Sequence, residues 1–146
     1  MTSAYWGIWG DVPMHLVRLT IAFLFVLPIG WNREKESRSA GLRTFPIIAI
    51  ASCGLAILGT EILGEHAREQ SRILQGLFTG IGMVGGGAIL QSGASVHGTA
   101  TAASILNVGV IGMAVGFGYY DVGLVLSLCN FLLLTAFKPF KREQEG

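Results

Sequence analysis

ILQGLFTGIGMVGGGAIL, residues 73–90, is an apolar run of 18 residues with six glycines. A helix needs about 20 such residues to cross about 30 Å of hydrocarbon. Glycine in a soluble helix costs ~1 kcal/mol relative to alanine, but between helices in lipid it lets two backbones approach closely. Gly76 and Gly80 are four apart, as are Gly82 and Gly86, giving two G-x-x-x-G steps that are read as lying on nearly one face. The run predicts a membrane protein and points to this helix as the one inside its bundle.

Outward from it, four more apolar runs complete an all-α, polytopic membrane helix bundle of five transmembrane helices in a single domain, 1–146. The spans are drawn at 14–30, 44–63, 73–90, 101–118 and 122–137. Only 13% of the 146 residues are charged, against about 25% in a soluble domain. The charges cluster in 33–43, 65–72 and 138–145, between the spans. A net charge of +1 gives no support to nucleic-acid binding.

Orientation is read from the basic residues. Arg33, Lys35, Arg38 and Arg43 in the first loop fall on one side with Lys138, Lys141 and Arg142 of the tail. Arg68 and Arg72 fall on the other, with Arg18 near that side. The positive-inside rule then predicts the N-terminus outside and the C-terminus in the cytoplasm. Trp6, Trp9, Tyr119 and Tyr120 are expected at the outer interface and Trp31 at the inner one. MTSAYWGIWGDVP has no basic segment before its first apolar run and is read as retained, not cleaved.

Pro28 predicts a kink near the inner end of the first span, because it frees the Leu24 carbonyl. Gly112 and Gly116 form a further step in the fourth span, expected to pack against the third. Residues 91–100 are a small, weakly polar connection.

Arg18 and Glu61 are the intramembrane charges, at similar depth near the outer surface, and are expected to approach each other or share a polar cluster. Arg33 and Arg43 flank span ends, with Glu34 the nearest acid. His97 falls in the third connection, where a histidine is ordinarily solvated; His15 and His66 are interfacial. Cys53 and Cys129 are read as buried small hydrophobes, without metal or redox spacing. No hydrolase, nucleotide or zinc-protease motif occurs, so no catalytic residue and no cofactor is expected.

Three blocks in order resemble the N-terminal membrane domain of the MgtC/SapB family. They are IGWNRE followed by AGLRT (29–44), GLFTGIGMVGGGAIL (76–90) and VHGTATAAS (96–104). The resemblance implies a functional polar cluster of Asn32, Arg33, Glu34, Arg43, Thr44 and His97. Asn32 stands where the family has an acid and His97 where it has a basic residue. The chain ends nine residues after Phe137, where many relatives continue into a soluble domain.

The resemblance further implies a non-enzymatic protein of the bacterial inner membrane, linked to magnesium limitation or acid stress, that acts by binding other membrane proteins. Self-association is expected through the glycine-rich helices. The competing reading is a small ion transporter or channel component. No ionised group falls near the middle of any span, where Thr79 and Asn107 are the best neutral candidates, so the interaction reading is preferred.

Overall fold

The computed structural model describes residues 11–36, 40–64, 67–92 and 95–136. Among the described residues five helices carry the fold: α1 (Val12–Glu36), α2 (Thr44–Leu63), α3 (Ala67–Gly87), α4 (Thr99–Gly116) and α5 (Tyr120–Ala136). A short antiparallel pair, β1 (Leu90–Ser92) and β2 (Ser95–His97), stands between α3 and α4 with Leu90 opposite His97. The small, weakly polar connection at 91–100 therefore contains paired strand segments. Trp6, Trp9, Arg38, His66, Lys138, Lys141 and Arg142 lie outside the described residues.

Among the described residues three helices, α1, α2 and α4, are long and apolar enough to cross a membrane. α5 is equally apolar but one residue shorter than α4. α3 has the length, but Arg68, Glu69 and Arg72 fill its first two turns. The second span matches α2 residue for residue. α1 instead runs six residues beyond 30, and α3 begins six before 73. Arg, Lys and Glu are good helix formers, so each helix continues past its apolar section. Asn32, Arg33 and Glu34 consequently stand on a helix and not in a loop. Pro28 lies inside α1, and the Ser127 hydroxyl of α5 donates to the neighbouring Phe25 carbonyl.

The central helix is α4, not α3. It packs against all four others, and Ile105, Val108, Ile111 and Val115 are buried along it. α1 contributes Ala22, Val26 and Ile29 to the core, and α2 contributes Phe45, Ala49 and Cys53. Over residues 68–87 of α3 only Ile81 and Gly85 are buried. A Cβ on Gly112 would overlap the Ala49 carbonyl and lie 2.9 Å from Ser52 Cβ. One on Gly116 would lie 2.6 Å from both Ala56 Cβ and the Cys53 carbonyl. This step therefore joins α4 to α2, where the sequence pattern suggested α3. α3 is seated differently, with Ile81 fitting over Gly109 and Gly85 lying against the Ala102 carbonyl.

Gly76, Gly80, Gly82 and Gly86 meet nothing within 4 Å. Nor do they share a face. At about 100° per residue, Gly82 lies roughly 240° round from Gly76. Spacing alone shows that a close approach is permitted, not which neighbour makes it.

Candidate functional site

The first and third sequence blocks meet at one end of the bundle, where α1 and α5 finish and α2 and α4 begin. Arg33 is only 8% exposed, and its Nη2 donates to Thr101 Oγ1 at 2.7 Å, across 68 residues of sequence. Thr101 is fully buried. A guanidinium this deep requires polar partners, because an isolated buried charge costs several kcal/mol, roughly, even after relaxation. Asn32, 6% exposed, donates from Nδ2 to Thr135 Oγ1 of α5 at 3.4 Å, a long contact. Its Oδ1 is buried without a hydrogen-bond partner.

Glu34 turns toward α2, and its Oε2 accepts from the Leu42 amide at 2.9 Å. Gly41 leaves the room for this, since a Cβ there would overlap the Glu34 carboxylate. The AGLRT block is thus the turn that folds onto Glu34 and starts α2, with the Phe45 amide donating to the Gly41 carbonyl. Arg43 is exposed at the N-cap and makes no capping bond, and Thr44 begins the helix half-buried.

The VHGTA block positions Thr101. Gly98 has φ +89°, a left-handed conformation that glycine adopts without penalty. A Cβ there would also overlap the Ala88 carbonyl. Gly98 therefore lets β2 turn directly into α4 across the end of α3. His97 is exposed immediately before it. Of the expected cluster, Asn32, Arg33 and Glu34 are tied into the helix ends, while Arg43 faces outward.

Of the polar line that continues inward from Thr101, sequence reasoning singled out Asn107 and missed Ser104, Ser127 and Asn130. Ser104 Oγ donates to Asn130 Oδ1 at 3.3 Å, and Asn107 Nδ2 to the Leu126 carbonyl at 3.3 Å. With Ser127 on Phe25, these bonds stitch α4 and α5 together and α5 to α1. The available signal was the three-residue spacing of Thr101, Ser104 and Asn107, and of Ser127 and Asn130, within apolar helices. Thr79, by contrast, is exposed and bonds back to the Gln75 carbonyl.

At the opposite end Arg18 and Glu61 have different partners. Glu61 Oε1 lies 2.6 Å from His15 Nε2, and Arg18 Nη1 donates to the Gly116 carbonyl at 3.1 Å. A cation at the C-terminal carbonyls of α4 suits the helix dipole, which explains why Arg18 turns there. Trp31 is exposed with Lys35 Nζ 5.4 Å from its ring centroid. Cys53 is buried as expected, whereas Cys129 is exposed on α5. No group of three or more His, Cys, Asp or Glu side chains suited to a metal ion occurs among the described residues.

The model of the MgtC family matches residues 19–143. Protein SrpB of Synechococcus elongatus is 32% identical over 137 residues, covering 86% of this chain and 75% of its own length. The Escherichia coli protein named "Putative magnesium transporter YhiD" is 33% identical over 128 residues, covering 84% of this chain and 60% of its own. Protein SapB of Bacillus subtilis is 31% identical over 146 residues, covering 94% and 62%. The chain thus spans about three-fifths of the length of YhiD and SapB. No solved structure matches it.

Proposed function

The chain belongs to the MgtC family, and from that premise we propose that it is a multi-pass protein of the bacterial inner membrane that works by binding other membrane proteins, in a setting of magnesium limitation or acid stress. In this reading all five helices cross the bilayer, the N-terminus lies outside, and the Arg33–Thr101 end faces the cytoplasm. The positive charge of that end supports the orientation. The name borne by YhiD supports the link to magnesium.

One observation carries the interaction reading. Between its two ends the bundle holds no ionised group among the described residues: residues 19–32, 44–60, 73–87, 99–116 and 122–136 contain no Asp, Glu, Lys or Arg. The polar side chains there bond mainly to one another or to backbone carbonyls. A pathway for an ion normally offers charged or carbonyl ligands near the midplane. Transport is the second reading, favoured by the buried Asn32 Oδ1 and Asn130 Nδ2, which have no hydrogen-bond partner.

Flux assays in proteoliposomes separate the two. Loaded with the purified chain, vesicles are expected to pass Mg²⁺ and protons at the rate of protein-free vesicles. Saturable flux that disappears on Asn32→Ala would replace the interaction reading with transport.

A further inference from the structure

The outward face of α3 differs from the other outward faces of the bundle. α5 presents Leu124, Val125, Leu128, Leu132 and Leu133, and α1 presents Leu16, Val17 and Leu24, surfaces that suit acyl chains. α3 presents Glu69, Arg72, Gly76, Gly80, Met83 and Gly87, all exposed and within about 80° of arc at 100° per residue. The three glycines meet nothing within 4 Å, so the α3 backbone is bare there. Beside Gly76 and Gly80 an apolar groove of about 270 Å³ runs between α3 and α2, walled by Ile48, Ala51 and Leu55. A second helix can approach such a bare backbone at close range and gain van der Waals contact that acyl chains match less well.

We propose that this face binds the same face of a second copy of the chain, α3 against α3 about a two-fold axis normal to the membrane. Charge identifies the occupant. Glu69 and Arg72 are one turn apart on the face, so a two-fold axis places each carboxylate by the other copy's guanidinium, making two reciprocal pairs. A face that is its own complement is what an isologous dimer requires. Gly76 and Gly80 are the point of closest approach, and the groove beside them receives side chains from the approaching helix. The inference rests on α3 crossing the bilayer, as in the five-span reading.

Cysteine cross-linking in native membranes tests it, on a Cys129→Ser background that leaves buried Cys53 in place. Met83→Cys and Gly76→Cys are expected to form disulfide-linked dimers on mild oxidation, whereas Phe78→Cys, on the far side of α3, and Leu128→Cys, on α5, are not. Gly80→Leu, which has open space around it in the monomer, should lower the Met83→Cys dimer yield at least about tenfold while the monomer still folds. Glu69→Arg should lower it too, and adding Arg72→Glu should restore it. Equal cross-linking at all four positions, or none at Met83→Cys, would overturn the dimer. So would cross-links only to a different protein. A Met83→Cys readily labelled by a membrane-impermeant maleimide would instead show that α3 is not in lipid, overturning the five-span reading along with the interface.

Discussion

Gly112→Ala is expected to destabilise the bundle by roughly 2–3 kcal/mol, the upper range for overpacking a close-packed contact. The added methyl has nowhere to go. It meets the Ala49 carbonyl and the Ser52 side chain, and the carbonyl belongs to a helix backbone that cannot rotate aside. α2 and α4 must separate, loosening the largest helix contact among the described residues. Gly116→Ala meets Ala56 and the Cys53 carbonyl one turn later. The two substitutions act on one interface, so their effects should not simply add. Gly82→Ala is the internal reference. Nothing lies within 4 Å of it, so it should be neutral or stabilising by up to ~1 kcal/mol through helix propensity. Unfolding monitored in mixed micelles measures all three; equal losses at Gly112 and Gly82 would refute the assigned packing.

The second large effect is expected at Thr101. Thr101→Val keeps the shape and removes the acceptor of Arg33 Nη2 inside a buried site. The loss of a hydrogen bond to a charged group, with part of the charge's compensation gone, is expected to cost about 2–3 kcal/mol. Arg33→Met should cost less, because it removes the buried charge together with its need for partners. Arg33→Met combined with Thr101→Val should then lie close to Arg33→Met alone, and the double-mutant cycle gives the coupling directly. Thr101→Ser retains the hydroxyl and should stay near the parent. A Thr101→Val protein as stable as the parent would show that this bond does not hold the α1–α4 junction.

Much of this architecture is legible in the sequence because lipid imposes a simple rule. Apolar runs mark the membrane-spanning parts of helices, so α2 coincides with 44–63 and the ends of α4 and α5 fall within two residues of those drawn. The rule says nothing about where a helix stops outside the apolar layer. The overrun of α1 into Asn32, Arg33 and Glu34 was therefore hidden, and with it the reason Asn32 and Arg33 are buried. Glycine spacing advertised close approach on both α3 and α4. It did not show that the α4 glycines face α2 while those at 76 and 80 remain open, because this depends on how the helices rotate against one another. Arg18 and Glu61 matched in depth, yet depth does not choose partners: His15 reaches the carboxylate and the end of α4 takes the guanidinium. The Arg33–Thr101 bond was least accessible of all. Its two residues lie in separate sequence blocks, and only the antiparallel return of the helices brings those blocks together.

The central claim is that the chain threads the membrane an odd number of times, with the Arg33–Thr101 end in the cytoplasm. Single cysteines at Ser3→Cys and Gln144→Cys, probed in intact cells with a membrane-impermeant maleimide, test this most directly. The account predicts labelling of the first in intact cells and of the second only after the inner membrane is permeabilised. Labelling of both from the same side would contradict it.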